Sequence, residues 1–363
     1  MNDFDAGKVE TTNIRKFSEF DNHEFVMTLT DEASGLRAYI GIHNTNLGPA
    51  LGGTRMKIYN SDAEALQDVL NLSKAMSYKC ALANLPYGGG KAVIIDSPRL
   101  EREAALRAYA RLVEKLKGLF KTGTDVGITD DDVVLMGNHT SHMLGLTDAD
   151  RGGMTTGKTA ALGVFYAMKA ALTKLYGSSD FNGRTVAIKG VGKLGGELAR
   201  LVTEAGGEVY ISDINQEVCQ QLKENLPKAI VVANEDIYKQ TVDIYAPCAL
   251  GNEFTLENIA DLRCKAIVGG ANNQLASEKV GDRLAEKGIF YAPDYIANAG
   301  GLIYVADELE DGGFSKERVV ERTKAIEQTM VTIFETAERE QRPTSRVADE
   351  IACKRIQEGQ HAE

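Results

Sequence analysis

Residues 185–195 read TVAIKGVGKLG: a short apolar strand, a glycine-rich turn, and the opening of a helix that continues as LGGELARLVTEAG. Each glycine has a separate task in such a turn. Gly190 makes the tight bend, Gly192 lets a pyrophosphate approach the backbone, and Gly195 lets helix and strand pack closely. The pyrophosphate then rests on the helix N-terminus, where unpaired N–H groups and the helix dipole favour an anion. The next strand ends in Asp213, eighteen residues after Gly195, inside SDIN (212–215). A carboxylate there accepts a hydrogen bond from the ribose 2′-OH of NAD and repels the 2′-phosphate of NADP. The competing reading of Asp213 is a plain turn residue. Strand, turn, helix and acid in this order make a dinucleotide site for NAD, with Lys193, Leu194 and Ile214 completing the expected cofactor set.

Working outward, apolar strands recur as EVYISD, AIVVA, DIYAPC, KAIVGG and GIFYAP, with helical segments between several of them. Continuous apolar strands of this kind belong to a parallel sheet covered on both faces. An amphipathic helix at about 315–340 follows, and we expect it to cross back to an N-terminal domain. The boundary between the halves is set near 147, ahead of the Gly/Thr-rich stretch RGGMTTGKTA.

The first half mixes strands and helices. RAYIGIH (37–43) alternates as a half-buried strand does. Ser61 with Glu64 makes a capping box, and the helix after it carries Leu66, Val69, Leu70, Ser73 and Met76 on one face. Leu106, Tyr109, Val113 and Leu116 recur at helical spacing in a second helix, at about 101–117. Lys79 and Lys91 bracket KCALANLPYGGGK. The first closes the earlier helix; the second follows Gly88, Gly89 and Gly90 and opens the strand KAVIID. We expect the glycines to turn the backbone and to admit a small ligand. A lysine held there, short of water, has its charged form disfavoured and becomes useful as a general base. The competing reading is two solvated surface lysines.

The chain has 363 residues, enough for two domains with their own cores. A formal charge of −11 argues against a nucleic-acid partner and against attraction to anionic lipid. No stretch approaches the roughly 20 apolar residues of a membrane span. MNDFDAGKVETT is too acidic and polar for a signal peptide. Cys80, Cys219, Cys248, Cys264 and Cys353 are odd in number and without CxxC spacing, which suits a cytoplasmic protein and argues against a zinc site. The five histidines are scattered, so neither a metal cluster nor a histidine-based triad is expected.

Taken together, GPALGGTRM, AMSYK, GGGKAVII, TGTDVGIT, GVGKLG, SDIN, IYAPCALG, GGANNQL and YAPDYIANAGGLIYVADE lie in order from about 47 to 308. In these segments the chain resembles the Glu/Leu/Phe/Val amino-acid dehydrogenase superfamily, specifically its leucine/valine/phenylalanine branch. The resemblance implies an α/β fold of two domains flanking a cleft. Residues 1–147, completed by about 337–363, would form the substrate and oligomerisation domain, and 148–336 a Rossmann-type NAD domain. It implies oxidative deamination of an L-amino acid to a 2-oxo acid and ammonia, in a homo-oligomer. By motif, Lys79 corresponds to the lysine that binds the substrate α-carboxylate, and Lys91 to the lysine that activates water. Asp125 corresponds to the carboxylate that shuttles protons to and from the amino group. Without the resemblance, Asp125 reads equally as a turn or capping aspartate. Asn272 and Asn273 correspond to asparagines meeting the nicotinamide ribose and the substrate amino group. Cys248 and Ala249 would lie under the cofactor, and Thr159 would face the nicotinamide. No histidine is placed to activate Cys248 as a nucleophile.

The glutamate branch carries a lysine just before Gly-Gly, where this chain has Leu51 before Gly52 and Gly53. Burying a substrate carboxylate there without a partner costs several kcal/mol, so an apolar side chain is expected. The other pocket positions read Met76, Gly123, Leu302 and Val305, although Met76 and Leu302 also suit a plain core. Branched-chain substrates come first in this reading. Gly123 leaves room for an aromatic ring, and ANLP, GGGKAVII and AGGLI also resemble tryptophan dehydrogenases, so Phe or Trp is the second. Thr124, Tyr304 and the loop around Lys158 depart from the usual leucine dehydrogenase pattern. A non-catalytic NAD-binding protein is the remote alternative, which Lys79, Lys91 and Asp125 together argue against.

Overall fold

The computed structural model describes residues 13–145, 151, 153–249 and 251–359. They fall into two compact units. One holds the described residues up to Ser77 and from Tyr87 to 145; the other holds Tyr78–Pro86 and the described residues from 151 onward. The boundary expected at 147 lies outside the described residues.

The first unit runs β1 (Phe25–Asp31), β2 (Leu36–Asn44), β3 (Ala50–Leu51), β4 (Thr54–Lys57), α1 (Asp62–Leu82), β5 (Gly88–Ile95), α2 (Arg102–Glu114), β6 (Phe120–Lys121) and α3 (Asp130–Gly137). Its sheet has the order β1-β2-β5-β3-β6, and β4 pairs with β5 beyond β3. β1, β2 and β5 are antiparallel neighbours, whereas β3 and β4 run parallel to β5. The period of two sorts the side chains. Ala38, Ile40, Ile42, Ala92 and Ile94 join Leu106, Tyr109, Val113, Val133 and Met136 in a core shared with α2 and α3. Tyr39, Val93 and Ile95 join Leu66 and Val69 of α1 on the opposite face. Gly89 and Lys91 share the parity of Val93, so both turn toward α1.

The three glycines do not make a turn. All of β5 is buried, and none of the three has a positive φ. They are close-packing positions: a Cβ on Gly89 would lie 2.1 Å from the Ser77 amide nitrogen, one on Gly88 2.0 Å from Asn44 O, and one on Gly90 2.8 Å from the Phe120 ring. Removing three side chains lets a helix backbone and a loop close directly on the strand.

In the second unit, α4 (Thr156–Tyr176) precedes β7 (Thr185–Lys189), α5 (Lys193–Glu204), β8 (Glu208–Ser212), α6 (Gln216–Asn225), β9 (Ile230–Val231), β10 (Ile244–Pro247) and β11 (Ala266–Ile267). α7 (Glu278–Glu286), β12 (Phe290–Tyr291), α8 (Asp294–Ala297), α9 (Gly300–Ala306), α10 (Lys316–Glu340) and α11 (Thr344–Gly359) follow. The six strands are all parallel, in the order β12-β11-β10-β7-β8-β9. The chain winds outward through β7, β8 and β9, then returns to start again at β10 beside β7. That is the doubly wound order, whose ligand crevice lies where the winding reverses, at the carboxyl ends of β7 and β10. α4 packs against α5, α9 and α10. Of residues 337–363, expected to complete the first domain, those described, 337–359, fall in the second unit. There α11 holds the end of α1: Arg355 Nη1 donates to Ala81 O and Leu82 O at 3.0 and 3.1 Å, and Cys353 Sγ lies 3.2 Å from Tyr78 Oη. Among the described residues no helix is long and apolar enough to cross a membrane.

Candidate active site

In the first unit the chemistry gathers around Lys91. Its side chain is buried in the middle of β5, and opposite it on β2 stands Gly41. Asp125 reaches it from the loop after β6. That loop is laid along β4: Thr54 N donates to Gly123 O at 2.9 Å, and Met56 N to Val126 O at 2.8 Å. Gly127 has φ +79° and a Cβ there would lie 1.9 Å from Met56 O, so only glycine closes this turn. Thr129 then caps α3 in a capping box with Asp132. The result places Asp125 Oδ2 2.5 Å from Lys91 Nζ. The other carboxylate oxygen, Oδ1, accepts Arg55 Nε at 2.8 Å. Arg55 Nη1 in turn donates to both oxygens of Asp68, at 3.1 and 3.2 Å, and Tyr59 Oη donates to Asp68 Oδ2 at 2.7 Å.

Burial alone would push the Asp125 carboxyl up. The charges of Lys91 and Arg55 and their hydrogen bonds outweigh it and hold the group well below the usual carboxylate range. Asp125 therefore rests as an anion. A buried amine and a carboxylate in direct contact can exchange a proton with each other and with a third group, which is what acid–base chemistry on an amino group requires.

The expected side-chain pocket positions of this unit are also placed. Leu51 is 1% exposed on β3, and a Cβ on Gly52 would lie 3.3 Å from Met76 Cγ. A Cβ on Gly123 would first meet Leu144 O at 3.1 Å.

In the second unit the glycine turn has the geometry its spacing implied. Gly190 has φ +89°, and a Cβ on Gly195 would lie 1.9 Å from Gly190 O. Among the described residues nothing stands within 4 Å of a Cβ position on Gly192, the glycine expected to face the pyrophosphate. Gly192 caps α5 with no side-chain hydrogen bond, so the first N–H groups of α5, from Lys193 and Leu194 on, have no capping side chain. Asp213 stands at the end of β8 and stiffens the turn: Oδ2 accepts Val191 N and Oδ1 accepts Asn215 N, each at 2.9 Å. Beyond it opens a cavity of about 590 Å³, lined by Asp213, Ile214, Val232 and Asn234 among others, with Ile214 88% exposed. An exposed apolar side chain beside the acid expected to meet a ribose would offer a surface for a flat base. These features fit a dinucleotide: a close-packed turn, a helix N-terminus capped by glycine, an acid and a cavity in sequence along the carboxyl ends of neighbouring strands.

Cys248 and Ala249 follow β10, and a Cβ on Gly190 would lie 2.8 Å from Ala249. Burial pushes the Cys248 thiol up to about 12, so no thiolate is present at neutral pH. Asn272 and Asn273 are exposed, and Asn273 takes a left-handed φ of 52°. Asp294 Oδ2 anchors their loop by accepting Gln274 N at 2.8 Å and Tyr291 Oη at 3.0 Å. Lys79 donates to Asn298 Oδ1 at 2.5 Å, and Asn298 Nδ2 donates to Asn272 Oδ1 at 2.7 Å and to Gly270 O at 3.1 Å. Thr159 is buried and its hydroxyl donates back to Thr155 O at 2.9 Å, so its oxygen is engaged inside α4. Lys158 Nζ donates to Gly153 O. Leu302 and Val305 share the half-exposed face of α9, while Ile303, Tyr304 and Ala306 are buried. Tyr304 therefore faces away from Leu302 and Val305; its ring lies against the Arg151 guanidinium and Phe314.

Three participants carried no signal of their own in the sequence. Arg55 sits inside GPALGGTRM and Asn298 inside YAPDYIANAGGLIYVADE, yet neither has a motif that announces a partner. Asp68 reads as an ordinary acidic residue of a helix.

A family model described as Glu/Leu/Phe/Val dehydrogenase, dimerisation domain, matches residues 22–147. A second, Glutamate/Leucine/Phenylalanine/Valine dehydrogenase, matches 152–222 and 211–363. The chain is 44% identical over 345 residues to a phenylalanine dehydrogenase of Bacillus thermotolerans, covering 94% of this chain and 90% of that one. It is 42% identical over 343 residues to a leucine dehydrogenase of Geobacillus stearothermophilus, covering 94% and 93%. Among solved structures it is similar to L-tryptophan dehydrogenase from Nostoc punctiforme, with a TM-score of 0.84, 38% identity, and 94% and 98% of the two chains covered.

Proposed function

This chain belongs to the Glu/Leu/Phe/Val dehydrogenase family and is an NAD-dependent amino-acid dehydrogenase, and we propose that its substrates are apolar L-amino acids. The net reaction takes amino acid, NAD⁺ and water to 2-oxo acid, ammonium, NADH and a proton. The observation that supports it best is the contact between Lys91 Nζ and Asp125 Oδ2 inside a buried strand.

In this reading the Lys79 ammonium holds the substrate α-carboxylate, with Asn298 steering it. Asp125 accepts a proton from the substrate amino group, leaving a free amine. The dinucleotide, when bound, would supply the acceptor for the hydride of the substrate Cα. Lys91 then takes a proton from the water that adds to the resulting imine carbon, and Asp125 returns a proton to the departing nitrogen. Gly190, Gly192 and Gly195, with Lys193, Leu194, Asp213 and Ile214, would hold the dinucleotide, and Cys248, Ala249 and Asn272 would border it. Substituting alanine for a general base removes about 10²–10⁴-fold of rate. Lys91→Ala should therefore abolish turnover to that extent while NAD binding, followed by fluorescence titration, persists. Near wild-type turnover would remove Lys91 from the role.

Leu51 before Gly52 disfavours glutamate, because a leucine side chain cannot pair with a carboxylate. Branched-chain side chains suit the apolar character of Leu51 and Met76 in the first unit and of Leu302 and Val305 in the second. The aromatic reading has support of its own in the small Gly123 and in the phenylalanine and tryptophan dehydrogenases among the relatives. NADH absorbance with L-Leu, L-Val, L-Ile, L-Phe, L-Trp and L-Glu decides between them. Turnover of glutamate alone would overturn the argument from Leu51. A homo-oligomer in the cytoplasm completes the proposal, consistent with a family model described as a dimerisation domain and with five unpaired cysteines.

A further inference from the structure

Asp125 has two oxygens in different circumstances. Oδ2 meets Lys91, whereas Oδ1 is taken by Arg55 Nε. Arg55 is itself held: it projects from β4, which pairs with β5 with Arg55 opposite Val93, and its Nη1 is clamped by both oxygens of Asp68 on α1. Tyr59 Oη donates to Asp68 at 2.7 Å, and Lys57 Nζ lies 3.6 Å from it. Arg55, Asp68 and Asp125 side chains are each 20% exposed or less, so the guanidinium works with little water around it. A planar guanidinium fixed at one end has little freedom at the other, unlike a lysine on a flexible stem.

We propose that Arg55 is a positioning residue for the reaction: anchored by Asp68, it occupies Asp125 Oδ1 and so confines proton transfer to Oδ2, against Lys91. This rests on the proton-carrying roles given above to Asp125 and Lys91. The charged groups in contact with Asp125 are Lys91 from β5 and Arg55 from β4; one contact further out, on Arg55, stands Asp68 from α1, with Lys57 and Tyr59 beside it. A cation near a titrating group favours its deprotonated form, and an anion the reverse. The two ends of the Arg55–Asp68 pair therefore act in opposite directions on the Lys91–Asp125 pair, whichever member titrates.

The test is the pH dependence of kcat for oxidative deamination, using whichever of L-leucine and L-phenylalanine the wild-type enzyme turns over. Arg55→Met should move the acid limb to higher pH by about one unit. It should also lower kcat by about tenfold or more, because Asp125 loses its fixed orientation. KM for NAD should change little. Asp68→Asn should move the limb to lower pH, and Arg55→Lys should fall between Met and wild type. A folded Arg55→Met enzyme with its limb in place overturns the proposal. So do shifts of both variants in the same direction, which is what simple loosening of the fold predicts. If Arg55→Met does not fold, Asp68→Asn decides alone: a limb that stays or rises overturns the assignment. Asp125→Asn separates the two levels. Near wild-type turnover there removes the role of Asp125 and the proposal with it; an inactive Asp125→Asn beside an unmoved Arg55→Met limb removes Arg55 only.

Discussion

A single carbon separates two kinds of glycine in the dinucleotide turn. At Gly195 a Cβ would lie 1.9 Å from Gly190 O, against backbone that cannot swing aside. At Gly192 the same carbon would meet nothing within 4 Å, and its φ of −69° suits any residue. Gly195→Ala should therefore cost stability by about 1–3 kcal/mol, as overpacking does, and lose NAD affinity as a consequence. Gly192→Ala should leave the denaturation midpoint nearly unchanged, within about 0.5 kcal/mol, and still weaken NAD, because its methyl enters the space expected for the pyrophosphate. Urea melts and NAD titrations on the two variants check this. Equal destabilisation by both would mean that Gly192 is structural. Residue types in this turn were legible because each glycine answers a local demand of the backbone. Arg55, Asp68 and Asn298 were not, since their partners are 70, 13 and 219 residues away along the chain.

Between α1 and the sheet lies a buried polar seam that no expected role uses. His43 Nδ1 bonds Ser77 Oγ at 2.8 Å, His23 Nε2 contacts Leu70 O and Ser73 Oγ at 3.0 Å, and the two rings meet edge to face. Asp21 and Lys74 are the charged groups beside them. Burial lowers both histidines, His43 from 6.5 to about 4. Since the folded value lies below the unfolded one, the unfolded chain binds more protons between them. Stability is then full above about pH 6.5 and falls as the pH drops toward 4, by about 3 kcal/mol from His43 alone. Urea midpoints measured across that range should show the decline, and His43→Gln should flatten it; an unchanged slope in the variant would place the titration elsewhere. The elements flanking this seam were largely legible. RAYIGIH became β2, and Ser61 Oγ accepts Glu64 N as α1 opens, although the Glu64 carboxylate accepts Asn60 N rather than the Ser61 N that a capping box requires. In the other unit the 315–340 helix became α10 (Lys316–Glu340). The glycine triplet was misread because a run of glycines marks either a turn or a strand that other backbone must touch. Only the neighbours distinguish the two, and those neighbours, Asn44, Ser77 and Phe120, are distant in sequence.

The division into two units shows what patterning can and cannot carry. Alternating strands and helices after residue 155 announced a parallel sheet, and its order follows from right-handed crossovers leaving β7 in one direction and β10 in the other. The described C-terminal residues fall in one unit with the end of α1, which the sequence could not show, because an amphipathic helix shows that it is covered, not by what. Cys353 meets Tyr78, and Arg355 meets Ala81 and Leu82, through chemistry that local periodicity does not encode. The units have separate cores, one built on Ile40, Ile94 and Tyr109, the other on Tyr245, Ile267 and Leu284. A ligand that binds only the folded form stabilises it by RT ln(1 + [L]/Kd), about 2.7 kcal/mol at a hundredfold excess over Kd. If the glycine turn, Asp213 and the cavity beyond Ile214 hold NAD, that stabilisation enters through the second core. Hydrogen exchange with saturating NAD should then slow the amides of β7, α5 and β8, with much smaller changes in β2 and β5. Protection that appeared first in β5, with β8 unchanged, would move the dinucleotide away from the turn whose three glycines point to it.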